Sequence, residues 1–307
     1  MTMRQPSNHI HVARHRDNIA RFTIEADGTL LAAVAQVLRD HKPTKLKSML
    51  RHNQFAVNGS PSSQFDRPVS AGDLLEVNFD RSFEVFSHPK VKLLYEDNDL
   101  LVVDKAYGLL STGTEKEKAE TVYGIMRKYV QRRNERAHVY VVHRLDRDTS
   151  GLMVLARSTR ARDRLLKEWG TLVTERFYEG IVEGVMEDDR GVVRQYLKDD
   201  DANYEMVETE DKTQGKLAVT EYTVLERGRR FSRVRIVMKT GRKNQIRVAM
   251  KSLGHPVSGD RKYGARPNGI HRLALHATSL TIKHPVTDAE LKFTSPAPDS
   301  FITQLNL

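Results

Sequence analysis

The 307-residue sequence contains no cysteine. That absence excludes a disulfide scaffold, a thiolate nucleophile and cysteine-ligated zinc together. Long hydrophobic runs are missing as well: no window approaches the roughly 18 apolar residues needed to cross a bilayer. The N-terminus, MTMRQPSNHIHVARHRDN, lacks the apolar centre of a secretory signal. No lipidation motif or basic amphipathic helix points to a membrane surface. The chain also lacks a Walker loop, a GxGxxG fingerprint and a His/Glu zinc motif, which removes the usual signs of a nucleotide cofactor or a metal. The expectation is a cytoplasmic protein with no membrane partner.

What is present is charge. The formal net charge is +10 and the pI is near 9.6. An excess of this size favours a polyanionic partner through counterion release and long-range attraction, and nucleic acid ranks ahead of ordinary solubility charge. Hydrophobic content of 39% and charged content of 29% suit a globular chain. Its length exceeds the usual single domain of roughly 100 to 200 residues, so two domains are expected.

Residues 1 to 20 are polar, basic and without apolar period, and read as a flexible tail. A small α/β unit is expected over 21 to 80. In LLAAVAQVLRD (30 to 40), Leu30, Leu31, Val34 and Leu38 share one helical face, and Pro43 marks the break before a second helix, TKLKSMLRHN (44 to 53). The second helix turns Leu46, Met49 and Leu50 inward and leaves Lys45, Lys47, Arg51 and His52 outside. A strand at FAVNG, a turn at Asn58-Gly59 and a closing strand within SAGDLLEVNF follow. This order resembles the S4-type RNA-binding domain. The resemblance implies that Lys45, Lys47 and Arg51 contact RNA; the alternative is that they are the wet face of amphipathic helices.

Residues 81 to 90 read as a linker, and 91 to 307 as a β-rich α+β domain. KLLYEDNDLLVVDKA offers two short apolar runs, and TVYGIMRKYVQRR (121 to 133) a helix capped by Thr121. VYVVH (139 to 143) and GLMVLAR (151 to 157) have strand composition. TRARDRLLKEWG (159 to 170) has helical period, with Ser158 as N-cap and Ala161, Leu165, Leu166 and Trp169 on one side. Strands follow at FYEGIVEG, AVTEYTVLE, SRVRIVMKT and LTIKHP. The acidic segment 186 to 216 reads as a mobile hairpin or loop; it lacks the glycine and glutamate spacing of a calcium loop.

The most unusual stretch is HRLDRDTSGLMVLAR, residues 143 to 157. Between two expected strands, RLDRDTS must be the connection, with Asp148, Thr149, Ser150 and Gly151 suited to a tight turn. Asp146 is then fixed on a loop, and Arg144 and Arg147 favour its ionised form by charge attraction. A positioned carboxylate can be a nucleophile or general base. An Arg–Asp pair in a turn is nevertheless more often structural than catalytic, and His143 fits a hydrogen-bonded core residue equally well. Charge spacing alone does not choose.

The full string HRLDRDTSGL resembles the signature that RluA-type pseudouridine synthases carry around their catalytic aspartate. LLYEDNDLLVVDKAYGLL (93 to 110), RFYEGIVEG (176 to 184), TGRKNQIRVAM (240 to 250), GHPVSGDRKYG (254 to 264), RLALHATSLTIKHPVT (272 to 287) and FTSPAP (293 to 298) continue the likeness in order. The resemblance implies a β-rich catalytic domain with a mixed or antiparallel sheet and flanking helices, accompanied by the small S4-like unit. It implies isomerisation of uridine in structured RNA, ribosomal RNA ahead of transfer RNA, by a monomer needing no cofactor, metal or obligatory protein partner. Asp146 would be the nucleophile, Tyr178 would stack on the flipped base and help proton transfer at C5, and Arg247 would pair with Asp146. Arg144 would fill the space the nucleotide leaves. Leu273 and Leu275 read as packing under the site, and the resemblance implies that apolar residues of their segment, Leu273 among them, lie close to the base. An unpaired buried arginine is expensive, so Arg247 needs an acidic partner on physical grounds alone.

Four positions depart from the family pattern: Ala106 replaces a proline, Arg176 a lysine, and Asn244 and Ala249 replace histidines. They bear on which RNA is used. Two other readings compete. A catalytically silent RNA-binding or ribosome-assembly protein would be favoured by loss of Asp146, Tyr178 or Arg247, all of which are present. A metal-dependent nuclease would use the acidic residues between 199 and 211.

Overall fold

The computed structural model describes residues 18 to 307 except 81, 84–85, 114–119, 134, 201 and 203–204. The tail expected over 1 to 20 therefore lies almost wholly outside the described residues. The chain forms two compact units, Met1–Val85 and Phe86–Leu307.

The first unit runs β1 (Ile19–Thr23), β2 (Gly28–Thr29), α1 (Leu30–Val37), α2 (Pro43–Arg51), β3 (Phe55–Val57), β4 (Ser60–Pro61), β5 (Pro68–Val69) and β6 (Leu74–Asn78). Thr29 caps α1, its hydroxyl accepting the Ala32 N–H at 3.4 Å, and Pro43 opens α2, where a missing N–H costs nothing. Apolar residues three and four apart put Leu30, Val34, Leu46, Met49 and Leu50 into one core with Phe55, Leu75 and Val77. Lys45, Lys47, Arg51 and His52 are exposed. Four strands form the sheet β1-β6-β3-β4. Its tight hairpin puts Asn58 and Gly59 at φ 50° and 78°, the left-handed geometry that these two residue types accept most readily.

The second unit begins with Phe86, whose ring packs edge-on against Tyr129 at 5.0 Å. Its elements are β7 (Val91–Glu96), β8 (Leu100–Lys105), α3 (Val122–Arg133), β9 (Tyr140–Val141), β10 (Ser150–Ala156), α4 (Thr159–Leu172), β11 (Val173–Glu183), β12 (Arg190–Asp200), β13 (Glu205–Glu208), β14 (Lys216–Arg227), β15 (Phe231–Met238), α5 (Gln245–Ser252), β16 (Leu275–Lys283), β17 (Glu290–Thr294) and α6 (Ser300–Leu305). One mixed sheet joins all the strands in the order β13-β12-β14-β15-β11-β16-β10-β8-β7, with β17 beside β16 and β9 beside β10. The architecture is the expected α+β. Among the described strands only β10 and β16 pair in parallel, over Ser150–His276 and Gly151–Ala277. At that contact Gly151 has φ +109°, and a Cβ there would lie 2.3 Å from the Ala277 carbonyl oxygen. No larger residue fits.

Side chains alternate across a strand. Leu101 and Val103 of β8 join Met153, Leu155, Tyr178 and Ile236 in a core with α3 and α5. Leu100 and Val102 face the other way, into a core with α4. Helices on both faces explain why β8 and β10 read as continuous apolar runs. Thr121 caps α3 through the Gly124 N–H at 3.0 Å, and Ser158 caps α4 through the Ala161 N–H at 3.1 Å.

Two expectations are corrected and one is narrowed. VYVVH is not a full strand: only Tyr140 and Val141 pair, with the far end of β10, so residues 142 to 149 form one loop. Leu166 is 58% exposed and not on the packed side of α4, which buries Ala161, Leu165 and Leu172. Of the hairpin or loop expected for the acidic segment, the structure has the hairpin: β12 pairs antiparallel with β13 and is laddered to β14 from Arg190–Thr223 to Leu197–Lys216. Among the described residues no helix is long and apolar enough to cross a membrane.

Candidate active site

Asp146 sits on the loop between β9 and β10, and the backbone on both sides of it is tied down. The Ser111 hydroxyl donates to the Leu145 carbonyl at 2.7 Å and accepts the Leu145 N–H at 3.1 Å. The Lys105 ammonium donates to the carbonyls of Ala106, Leu109 and Arg147 at 3.0, 2.8 and 2.9 Å. Lys105 is fully buried, and its three N–H donors match three acceptors. Burial pushes its pKa down to about 7, against attraction from Asp148 and Asp146. A turn from the Thr149 N–H to the Asp146 carbonyl, 3.2 Å, completes the loop.

The Asp146 side chain is 25% exposed and faces Arg247 of α5, whose Nη1 lies 3.7 Å from Oδ2. Arg247 is itself gripped elsewhere: its Nε and Nη2 donate to both oxygens of Asp260, each at 2.6 Å, and Asp260 is almost wholly buried. The partner that Arg247 requires is thus Asp260, with Asp146 as a second, looser anion. Burial raises the Asp146 pKa, Arg247 and Arg144 pull it back, and Asp260 adds to the rise. The sequence-based view that flanking arginines keep Asp146 ionised needs this amendment. Desolvation outweighs Arg247 and Arg144, and the Arg147 main-chain carbonyl accepts from Lys105.

Asn244 precedes α5 at φ 50°, a left-handed position that asparagine tolerates. Its amide orientation follows from its neighbours. With nitrogen toward Asp146 it donates to Oδ2 at 2.7 Å and Oδ1 at 3.1 Å, and its oxygen accepts from the Tyr263 hydroxyl at 3.0 Å. That hydroxyl already accepts the Met206 N–H at 3.1 Å, so its proton is free for Asn244. The reverse orientation would let the amide oxygen accept one Arg247 N–H at 3.3 Å but would set that oxygen 2.7 Å from a carboxylate oxygen.

Tyr178 on β11 is buried, opposite Ile236 on one side and Ala277 on the other. Burial raises its pKa, and the nearby Asp146 adds to the rise; the phenol keeps its proton at neutral pH. A cavity of about 50 Å³ is lined by Arg144, Asp146, Tyr178, Asn244, Arg247 and Leu275, among others. Arg144, Asp146 and Tyr178 also line a wider cleft of about 570 Å³, with Trp169, Arg176 and Arg242 on its walls. The structure therefore gathers Asp146, Tyr178, Arg247 and the exposed Arg144. Leu273 lies apart: it lines a neighbouring hollow of about 580 Å³ with Arg147, Asp260 and Arg272, and Leu275 is the leucine beside Asp146 and Tyr178. Lys45, Lys47 and Arg51 belong to the other compact unit.

The histidines nearby are structural. His143 accepts the Val154 N–H on Nε2 at 2.8 Å and packs on Trp169 at 4.7 Å; burial pushes its pKa down to about 3, so it is neutral. His276 ties β10 to β16 through Ser150 at 2.8 Å, and burial lowers its pKa also. Ala106 donates its N–H to the Lys90 carbonyl at 2.9 Å, a bond that a proline there could not make. Among the described residues, one trio has metal-like spacing: Asp97, Asp99 and His284. Asp97 is already used, taking the N–H groups of Asp99 and Leu100, the Tyr95 hydroxyl and His284. In the acidic segment, Asp199 pairs with Lys243 at 2.7 Å and Asp211 caps its own turn through Thr213.

Sequence reasoning missed Ser111, Lys105 and Asp260 as supports. For Asp260 the one available signal was the requirement that Arg247 have an acidic partner.

The sequence profile of the RNA pseudouridylate synthase family matches residues 99–252. Curated relatives include ribosomal large subunit pseudouridine synthase D of Vibrio cholerae, 32% identical over 288 residues, covering 88% of each chain. The protein of the same name from Pseudomonas aeruginosa is 31% identical over 314 residues, with 94% of each chain covered. Among solved structures, human RNA pseudouridylate synthase domain containing 4 shares the fold, with a TM-score of 0.57, 24% identity, and 69% of this chain and 91% of that one covered. The profile spans half the chain and the curated relatives nearly all of it, and both coincide with the loop, strand and helix that bring Asp146, Tyr178 and Arg247 together: the chain belongs to the RNA pseudouridylate synthase family, isomerases acting on uridine in RNA.

Proposed function

We propose that the protein isomerises specific uridines of structured RNA, with ribosomal RNA of the large subunit as the substrate, and that Asp146 is the group on which the reaction turns. The observation that carries this reading is the Asp146 carboxylate, on a tied-down loop, sharing one cavity with Tyr178 and the Asp260-held Arg247. The curated relatives' names, ribosomal large subunit pseudouridine synthase, support the choice of RNA. Transfer RNA is the competing outcome of the mapping experiment below.

Isomerisation breaks the bond from ribose C1′ to uracil N1, turns the base, and joins C1′ to C5; the C5 proton leaves and N1 gains one. A carboxylate anion serves this by adding to C1′ or by removing the neighbouring C2′ proton, and both need an ionised Asp146. The base must first leave its stack at a cost of a few kcal/mol. Arg144, exposed at the rim, fills the space left behind, and the planar Tyr178 receives the base, with Leu275 beside it and Leu273 in the neighbouring hollow. Arg247 stabilises the charge at Asp146. No cofactor or metal takes part in this scheme, and no redox change or phosphoryl transfer occurs.

The first unit is proposed as an S4-like RNA-binding domain that uses Lys45, Lys47 and Arg51 on α2. The enzyme works as a monomer, without an obligatory protein partner, in the cytoplasm, where ribosomal RNA is processed. The test is to map pseudouridine across total RNA from cells with and without the gene. Loss of one or a few large-subunit sites is expected; sites lost only from transfer RNA would move the substrate there, and an unchanged map would defeat the reading.

A further inference from the structure

Two side chains face the Asp146 carboxylate closely, and they do different things. Arg247 is a strong charge at 3.7 Å, beyond hydrogen-bond reach, because Asp260 holds the other two edges of its guanidinium at 2.6 Å. Asn244 is neutral and lies within reach of both carboxylate oxygens, at 2.7 and 3.1 Å. The direct donor to the proposed nucleophile is therefore the nitrogen of a neutral amide, at a position where the sequence departs from the family pattern. That amide cannot turn over freely. Its oxygen is taken by the Tyr263 hydroxyl, and the hydroxyl is oriented by the Met206 N–H on β13. Tyr263 is buried, 2% exposed, and the Arg247 guanidinium lies over its ring at 4.8 Å.

We propose that Asn244 is the positioning residue of the reaction, holding the Asp146 carboxylate in its reactive orientation through a chain that runs from the Met206 main chain through the Tyr263 hydroxyl and the Asn244 amide. This rests on the function proposed above and deepens it. Arg247 supplies charge and Asn244 supplies direction. The chain also gives β13 a purpose: the edge strand that the acidic segment adds to the sheet ends one side of a hydrogen-bond relay whose other end is the reacting carboxylate.

The test compares Asn244→Asp, Asn244→His and Tyr263→Phe in the full-length enzyme, with pseudouridine formation followed on an RNA that the wild type modifies. Asn244→Asp keeps the shape, replaces the donating nitrogen with oxygen and sets a second carboxylate 2.7 Å from Asp146, so its loss is at least that of the donor bond. Donor bonds to a charged group are worth about 1.5–3 kcal/mol, so kcat should fall by about tenfold to a hundredfold with KM within twofold of wild type. Asn244→His, whose Nδ1–H can take the place of the amide nitrogen, should recover most of that loss. Tyr263→Phe should lower kcat less, and combined with Asn244→Asp should add little, because both act on one chain. An unchanged kcat in Asn244→Asp, a loss confined to KM, or fully additive effects would each overturn the proposal.

A readout that needs no turnover separates failure of this proposal from failure of the function beneath it. The ¹³C titration of the Asp146 carboxyl should move to higher pH in Asn244→Ala by about one unit, in the presence of the same charged neighbours: Arg247, Arg144, Asp260, Lys105, Tyr178 and, at the rim, Arg242. An unmoved titration overturns the role of Asn244 even in an enzyme whose substrate is unknown. A wild type that makes no pseudouridine, with the titration moved as expected, overturns the function instead.

Discussion

Replacing Asp260 with asparagine tests how the site stores its charge. In the wild type the buried Arg247 guanidinium is matched by two 2.6 Å bonds from one carboxylate whose side chain is 1% exposed. Asp260→Asn preserves shape but leaves one acceptor and sets an NH₂ group against an N–H of the guanidinium. Breaking one side of a buried pair typically costs about 3–5 kcal/mol. For a unit of this size a kcal/mol moves Tm by about 2–4 °C, which gives a fall of roughly 6–20 °C. Activity changes in a direction that stability alone does not dictate. With Asp260 neutral, Asp146 at 3.7 Å is the nearest anion left to Arg247, so the guanidinium swings to it. Asp146 then loses a repelling neighbour and gains a closer cation, both of which lower its pKa. The acid limb of the pH–rate profile should move to lower pH while kcat at neutral pH falls, because a carboxylate bound tightly to arginine is a poorer nucleophile. Urea unfolding and a pH–rate profile on one RNA read both effects. A stability loss under about 1 kcal/mol, or an acid limb displaced upward, would refute the reasoning.

Lys105→Met retains the buried stem and removes all three donors to Ala106, Leu109 and Arg147, leaving carbonyls unsatisfied at about 1–3 kcal/mol each before water enters. The loop carrying Asp146 should loosen, seen as faster amide exchange at residues 145 to 149 and lower kcat. Because burial pushes the folded lysine down to about 7 from the ordinary 10.5, the folded state gives up its proton first. Wild-type stability relative to Lys105→Met should therefore rise with pH between those values, and a flat difference from pH 6.5 to 9 contradicts this. In the first unit, changing Lys45, Lys47 and Arg51 together to alanine should weaken RNA binding and lower the slope of log affinity against log salt by about 2 to 3, with kcat at saturating RNA preserved. An unaltered slope would remove these residues from the interface.

Much of the fold was legible because burial writes a pattern. β8 and β10 are covered on both faces and read as apolar runs, and α2 shows Leu46, Met49 and Leu50 on one side. β12 was not legible: its side chains alternate between exposed and half-covered over the first five residues, so charge masks its period of two. Leu166 shares helical spacing with the packed residues of α4 yet faces solvent, since spacing defines a stripe and not its width. At the site, Asp146, Tyr178 and Arg247 were read from motif resemblance, and the structure sets all three at one cavity. Their supports were not read. Asp260 lies 13 residues from Arg247, and Lys105 lies 42 from Arg147; pairings over such distances are made by the fold. Asn244 stood out only as a departure, and its meaning appears once Tyr263 and Asp146 are placed on either side of it.

The account turns on the Asp146 carboxylate. Single-turnover pseudouridine formation by Asp146→Asn on an RNA that the wild type modifies tests it most directly, with RNA affinity and Tm measured alongside. Burial raises the pKa of this group, so it stabilises the fold while protonated and loses that contribution as pH rises through its folded value. At neutral pH the substituted protein should be at least as stable as wild type, bind RNA with similar affinity, and form no detectable product. Turnover near the wild-type rate would contradict the central claim.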